Sequence, residues 1–426
     1  MDAIVSRLAD SFDVSEWESV AAEQQARIMS AIAPDKPPSC VVKPRSIDEL
    51  SKVVARSCEN SWHLLPMGQG SKLGWGGLAS QVDLVVSTAY LNRVVEHAVG
   101  DFTVTVESGL KVADLQRQLD AEGQFLAVDP AFAEEASLGG IVATADTGSL
   151  RQRYGGLRDA LIGVQFVRYD GEVATAGGRV VKNVAGYDLM KLMTGSYGSL
   201  GILSELTFRL YPAVRNLRTV ILSGGETALE KALADIRMSG LTPESLDAVS
   251  EMVSGRRQLS IVARFQGVAE GVEEQSDRLK KIATTHGMSC QQLEGEAEAE
   301  FWHQAQTAIR PDSVLCKVGL KPSGVPWLLA LVEDTNLDGY ARLHGGNGLG
   351  WIQLEQRDGL VEGIKKLRSH CQKNGGFLSL LQAPKSLKQS IDVWGYAGNA
   401  IGVMRDIKDK FDPHHLLSSG RLVGGL

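Results

Sequence analysis

The chain predicts an α+β protein built from more than one domain. Three observations carry this: short strand patterns alternate with helical ones along 426 residues, glycine concentrates in one stretch, and the texture changes near Leu217. At 43% hydrophobic content the chain has enough apolar material for real cores, and its length suits two or three domains.

Residues 14–33 read as an amphipathic helix, followed by a proline-bearing link from Pro34 to Pro44. The first domain then begins near Cys40. Ser46-Ile47-Asp48-Glu49 forms a capping box, and Leu50, Val53, Val54 and Ser57 continue one helical face. Strands are predicted at Leu84–Ser87, Thr103–Glu107 and Val164–Tyr169, with a helix over Val112–Leu119 stopped by Gly123. A turn at Asp170-Gly171 leads into Glu172–Thr175. The alternation of Ile202, Ser204, Leu206, Phe208 and Leu210 reads as a half-buried strand closed by Pro212.

Beyond Leu217, Val220–Ser223, a helix over Thr227–Met238, Leu259–Phe265 and a charged helix over Gly271–His286 make a split βαβ pattern. A second copy follows: Ser313–Leu320, a helix near Pro326–Glu333, Gly339–Leu343, a helix over Asp358–Lys373 and Phe377–Gln382. Residues 215–390 thus read as an α+β, ferredoxin-like cap. In the last helix Ile401, Met404, Ile407 and Phe411 share a face that ends at Asp412-Pro413, so the tail folds back on the first domain.

A net charge of -7 with a pI near 5.7 leaves no basic footprint for nucleic acid. The start lacks the basic and apolar regions of a secretory signal, and no stretch approaches the eighteen apolar residues of a membrane span. A cytoplasmic location is the expectation, with any membrane association peripheral and through a partner. Five cysteines, far apart and without a Cys-x-x-Cys pair, predict reduced thiols and no metal or iron–sulfur site of the chain's own.

Between Ser137 and Gly201 stand thirteen glycines in sixty-five residues, against about seven at the chain-wide frequency of 46 in 426. Glycine turns of this kind either are ordinary tight turns or form concave nests of peptide N–H groups that hold a pyrophosphate. The Gly68-Gln69-Gly70 run does not sit in the strand–turn–helix unit that a Rossmann site requires.

The order Pro66-Met67-Gly68-Gln69-Gly70-Ser71, Ser137-Leu138-Gly139-Gly140, Tyr154-Gly155, Lys182-Asn183-Val184-Ala185-Gly186-Tyr187-Asp188-Leu189 and Gly198-Ser199-Leu200-Gly201-Ile202 resembles the FAD-binding domain of the vanillyl-alcohol oxidase and p-cresol methylhydroxylase flavoprotein superfamily. Phe411-Asp412-Pro413…Ser419-Gly420-Arg421 is similar to that superfamily's closing motif, and the Lys182–Leu189 run most resembles the FAD-binding subunit of glycolate oxidase. The resemblance implies an N-terminal helical segment (1–39), a two-part FAD-binding domain (40–214), the α+β cap (215–390) and a returning tail (391–426). It implies oxidation of a small 2-hydroxy acid to the 2-oxo acid, within a complex holding a catalytic flavin subunit and an iron–sulfur subunit. A self-sufficient flavin dehydrogenase and a noncatalytic flavin-bearing subunit stay open beside it.

Carried over by position, the resemblance implies that Pro66 to Ser71 wrap the FAD pyrophosphate. Ser137, Leu138, Gly139, Gly140, Ile141 and Thr144 would line the phosphates and ribityl chain. Thr147, Gly148 and Tyr154 would continue the groove, and Gly195, Gly198, Gly201 and Ile202 would reach the adenine or ribose. Ser71-Lys72 stands where relatives carry a tethering histidine, so FAD is expected to be noncovalent. Lys182, Asn183, Tyr187 and Asp188 read equally as ligand contacts or as a folding device in which Asp188 caps a helix.

Arg342-Leu343-His344-Gly345-Gly346-Asn347-Gly348 places a histidine at a strand end, where neutral imidazole is basic near pH 7. Related dehydrogenases carry a metal-ligating histidine-rich run at this motif. Asn347 stands where an aspartate would and no second histidine follows, so no metal is expected. His344 reads as a substrate- or flavin-facing base or as a turn residue. Arg421 reads as a partner for a carboxylate or flavin oxygen, or as an ion pair holding the tail. Arg310 and Lys317 are further carboxylate anchors to consider, and Trp302, Trp327, Trp351 and Trp394 either wall a site or fill the core.

Overall fold

The computed structural model describes residues 3–178, 187–253, 256–334 and 339–426. Three larger sheets organise it. The first has the order Val14–Glu16, Cys40–Val42, Leu84–Ser87, Leu64–Met67, with the last three strands parallel. Helix Ile47–Glu59 makes the crossover between Cys40–Val42 and Leu64–Met67. Ser46 caps it by accepting the N–H of Glu49 at 3.1 Å, and Leu50, Val53, Val54 and Ser57 form its buried face, as the sequence predicts. In open sheets of this kind a ligand sits beyond the carboxyl ends of the parallel strands, where the Gly68 loop leaves Met67.

The second sheet is antiparallel, ordered Val94–Ala98, Thr103–Glu107, Ile202–Arg209, Leu161–Val167, Val173–Gly177. Its hairpin turns at Gly171, whose φ of 87° suits glycine. The strand Ile202–Arg209 was expected to be half-buried and is buried along most of its length, because it lies at the sheet's centre beneath helix Leu138–Thr144.

The cap is one eight-stranded antiparallel sheet. Its chain order is strand Leu217–Gly224, helix Glu226–Met238, strands Ser245–Val253 and Arg256–Gln266, helix Ala269–Thr285 and strand Ser289–Glu294. The unit then repeats as Val314–Gly319, Val325–Asp334, Gly339–His344, Leu349–Leu354, Leu360–Lys373 and Phe377–Gln382. Each unit is βαββαβ, and the two join edge to edge where Ser245–Val253 pairs with Gly339–His344. Strands Ser245–Val253 and Leu349–Leu354 were not foreseen. The first carries Asp247 and Glu251 amid small residues and the second hides in a glycine run, so neither shows a clean period.

The expectation of a helix over residues 14–33 is also corrected. Val14–Glu16 is a strand pairing with Cys40–Val42, and the helix spans Ala22–Met29. Pairing to a neighbouring strand overrides a weak helical pattern there. The tail helix Ile401–Phe411 packs Ile407 and Phe411 against the second sheet's core. Buried Lys408 then locks the return: its Nζ donates to the carbonyls of Ser199 and Leu417, both at 2.9 Å, and pairs with buried Asp412 at 2.5 Å. Asp412 in turn accepts the N–H groups of Leu416 and Leu417.

Candidate functional site

Glycine loops from both N-terminal sheets line one groove. Pro66, Met67, Gly68, Gly70, Ser71 and Thr88 come from the parallel sheet, and Ser108, Ser137, Gly139, Gly140, Thr144, Gly198, Gly201 and Ile202 from the antiparallel sheet and its loops. The groove is narrow, with a cavity volume of about 90 Å³. Its walls are close: a Cβ on Gly68 would stand 2.0 Å from Ser137 Oγ, and Gly70 has φ +83°. The peptide N–H groups of Gly68, Gln69, Gly70 and Ser71 donate to no acceptor among the described residues, which leaves a concave run of donors for an anion.

Arg421 closes the groove from the tail. One Nη donates to the carbonyls of Leu73 (2.9 Å) and Trp75 (2.8 Å), while buried Nε and the other Nη have no partner among the described residues. Burial lowers its pKa to about 10, with Tyr197 opposing. Lys72, also buried in the wall, reaches Ala131 O and lies 3.4 Å from Asp146; burial lowers its pKa and Asp146 opposes this.

Asp146 and Trp75 also line a second cavity, between the N-terminal sheets and the cap. The register of the cap sheet builds one wall. Arg342 and Lys317 each stand opposite Trp351 on neighbouring strands, so all three share a face, and His344 follows Arg342 on that face. Asp247 stands directly opposite His344 across the join between the two cap units.

His344 Nδ1 lies 2.7 Å from Asp247 Oδ1. Burial pushes the Asp247 carboxyl upward, but His344, Arg342 and the hydroxyl of Ser149 outweigh it and hold the pKa below the usual range. An ionised Asp247 accepts from Nδ1–H, leaving Nε2 of His344 as the proton acceptor on a ring that walls the cavity. Ser149 Oγ donates to Asp247 Oδ2 at 2.7 Å across the domain interface.

The opposite wall carries Asp129, Thr147, Gly148 and Arg151. Asp129 accepts the N–H groups of Ser149 and Leu150, both at 2.9 Å, yet burial raises its pKa to about 7. Lys317 and Arg151 have no hydrogen bond or ion pair among the described residues, and burial lowers the pKa of each. Ile309, Leu315, Leu349 and Leu381 supply the apolar lining. The arrangement offers a carboxylate two cations that make no hydrogen bond among the described residues, although the charge of Asp146 acts on both and that of Asp159 on Arg151, with the His344–Asp247 pair beside them.

Residues 38–177 match the family described as FAD binding domain. The chain carries an FAD-binding domain. It is 22% identical over 90% of its length to the glycolate oxidase subunit GlcD of Bacillus subtilis, covering 89% of that protein. It is 28% identical over 71% of its length to the glycolate oxidase subunit GlcE of Escherichia coli, covering 82% of it. Against a mitochondrial D-lactate dehydrogenase (cytochrome) of Arabidopsis thaliana it is 32% identical over 64% of its length but spans only 50% of that protein. Among solved structures, an alkyldihydroxyacetonephosphate synthase superposes with TM-score 0.73 at 18% identity, over 97% of this chain and 84% of that one, a likeness of fold.

Within the FAD-binding domain the structure sorts the sequence-predicted residues. Pro66, Met67, Gly68, Gly70, Ser71, Ser137, Gly139, Gly140, Thr144, Gly198, Gly201 and Ile202 all line the groove with Arg421. Leu138 and Ile141 point into the core, because at i and i+3 they share the face of their helix that packs on the antiparallel sheet. Gln69 turns outward and donates to Gly109 O, and Gly195 lies outside the lining, donating its N–H to Val142 O.

Thr147 and Gly148 belong to the second cavity, and Tyr154 meets Glu244 and Gln266 of the cap. Asp188 caps helix Leu189–Met193, whereas Lys182, Asn183 and the rest of that motif up to Gly186 lie outside the described residues. His344 sits in the second cavity, apart from Arg421. Lys317 joins His344 there, while Arg310 pairs with Glu355 at the surface. Trp351 walls the cavity and Trp302 fills core, donating to Thr219. Sequence reasoning missed Asp129, Asp146, Arg151 and Asp247. Of these, Asp247 carried a signal, a charge inside the alternating run Leu246-Asp247-Ala248.

Proposed function

We propose that the chain binds FAD noncovalently and oxidises a small 2-hydroxy acid to the 2-oxo acid. The observation that carries this is the pair Lys317 and Arg151, two cations without hydrogen-bond partners among the described residues, lining a cavity that meets the groove where Asp146 on its wall lies 3.4 Å from Lys72 on the groove's. A carboxylate-bearing substrate would give both cations a hydrogen-bond partner. The named relatives act on glycolate and D-lactate, which are such acids.

The groove fits FAD. Its free peptide donors suit a pyrophosphate, its glycines leave room for close approach, and no histidine or cysteine stands among its described lining residues to tether the cofactor. When bound, FAD supplies the acceptor for a hydride equivalent. Lys317 and Arg151 would fix the substrate carboxylate, and Nε2 of His344 would take the hydroxyl proton. Asp247 holds the tautomer that makes this possible and stabilises the imidazolium that results. The apolar lining excludes water from the carbon that is oxidised.

We extend the reading to a complex, because two relatives are named as glycolate oxidase subunits and the electron pair must pass onward. An iron–sulfur partner chain is the acceptor we favour. The test is to purify the chain, record its visible spectrum, and add glycolate or D-lactate without oxygen. Bleaching of a flavin band supports catalysis in this chain. A flavin band that persists with every small 2-hydroxy acid, partner chains present, would refute it.

A further inference from the structure

Arg421 is the groove's anomaly. A guanidinium can donate five hydrogen bonds. Arg421 uses one Nη on two carbonyls and leaves buried Nε and the other Nη without any partner among the described residues. Among the described residues no carboxylate forms an ion pair with it; Tyr197 is the neighbour that favours its charge, and Lys388, whose charge acts on it, holds the carbonyls of Gly74 and Gly76. Lys72, the other buried cation of the groove, differs in having Asp146 as counter-charge. A buried, unpaired cation is costly, and the orphaned donors mark where an anion belongs.

The position of that anion follows from the two cavities. Arg421 binds the carbonyl of Trp75, and the side chain of Trp75 lines the substrate-side cavity. Arg421 therefore stands at the end of the groove nearest the substrate, while the free peptide donors of Gly68–Ser71 serve the pyrophosphate. The reacting ring of FAD must lie at the substrate end. A 2-hydroxy acid that loses its hydroxyl proton to His344 and a hydride to FAD becomes the 2-oxo acid, and the hydride brings one negative charge into the groove.

We propose that Arg421 is a positioning residue that favours reduced over oxidised flavin, by donating from its unpaired Nε and Nη to the negative charge that reduction brings. This rests on reading the neighbouring cavity as the substrate side. Its consequence is a raised reduction potential of the bound FAD, set by the returning tail and not by the cap.

The experiment uses the FAD-loaded full chain. Arg421→Gln should reduce the preference for reduced over oxidised FAD by about 10- to 100-fold, which for a two-electron couple is roughly 30–60 mV of potential lost. Arg421→Lys, which keeps the charge, should recover part of it. A potential unchanged in Arg421→Gln, or equal weakening of both redox forms, would overturn the assignment.

Sulfite gives a second reading on the unmodified protein, so the inference survives a variant that does not fold. Sulfite adds to oxidised flavin, forming an S–N bond and pushing negative charge onto the ring, so the wild type should bleach with sulfite. Refusal of sulfite by the wild type, with a potential no higher than that of free FAD, would sink the proposal. Neither measurement uses a hydroxy acid, so failure of the substrate reading shows separately, as absence of bleaching by any 2-hydroxy acid.

Discussion

Replacing Lys317 by Met should weaken substrate capture and strengthen the fold at once. The ammonium sits on a central strand of the cap, opposite Trp351 on one side and Ser379 on the other, without a hydrogen-bond partner among the described residues. A hydrogen bond from a charged donor contributes about 1.5–3 kcal/mol. At 1.36 kcal/mol per tenfold, its loss predicts a fall of about 10- to 150-fold in kcat/KM. If the carboxylate is held equally in ground and transition states, the loss appears in KM with kcat retained. Burial lowers the pKa of Lys317, so between its folded and unfolded pKa the unfolded chain binds more protons and stability rises with pH. Lys317→Met removes that penalty and should raise Tm most at neutral pH and least above pH 10. Stopped-flow flavin reduction against substrate concentration gives the first quantity and thermal unfolding the second. An unchanged KM together with a lowered Tm would refute the reasoning, because it would make Lys317 a fold residue and not an anion anchor.

Asp247→Asn should leave FAD bound but cut kcat and alter the pH profile of flavin reduction, since Asn cannot hold the Nδ1–H tautomer of His344 or stabilise its charged form; an unaltered profile would remove His344 as base. Gly68→Ala drives a Cβ to 2.0 Å from Ser137 Oγ, so the purified variant should carry little or no FAD, read from its absorbance ratio, while far-UV circular dichroism stays native. Lys408→Met leaves buried Asp412 uncompensated, and urea unfolding should show a loss of about 3–5 kcal/mol with release of the tail. Asp129, whose pKa is raised to about 7, binds its proton more tightly folded than unfolded, so its contribution to stability falls between about pH 4 and 7; the stability difference between wild type and Asp129→Asn, measured at pH 5 and 8, should shift in favour of the variant at pH 8.

Much of this architecture was legible because local chemistry and tertiary structure agree. The Ser46 cap and the Leu50, Val53, Val54, Ser57 face needed no knowledge of their neighbours, and the tail helix stops at Asp412-Pro413 for a local reason. The groove was legible as far as backbone sets it, since glycines betray close approach. It was not legible where side-chain direction decides. Leu138 and Ile141 occupy the same short helix as Gly139 and Gly140, and only the sheet beneath them says which face meets the ligand. The second cavity was hardest to read. Asp129, Arg151, Lys317 and His344, with Asp247 behind it, come from distant parts of the chain, and nothing local to any of them announces the others.

The doubled cap explains why those residues converge. Each βαββαβ unit alone would present Ser245–Val253 or Gly339–His344 as a sheet edge, open to pairing. Joining the units at those edges satisfies both strands and sets Asp247 of the first copy directly against His344 of the second. The acid–base pair thus exists only at the seam, and neither copy could carry it. The same seam reaches the FAD-binding domain through Ser149 and Asp247, and the first copy does so again through Tyr154 and Glu244. A rotation of the cap about this contact would strip the Asp247 carboxylate of its hydroxyl donor and carry Lys317 away from Arg151. The site therefore requires cap and FAD-binding domain to be held in one relative position, and the buried polar contacts across the interface do that by making any other position leave charges unpaired.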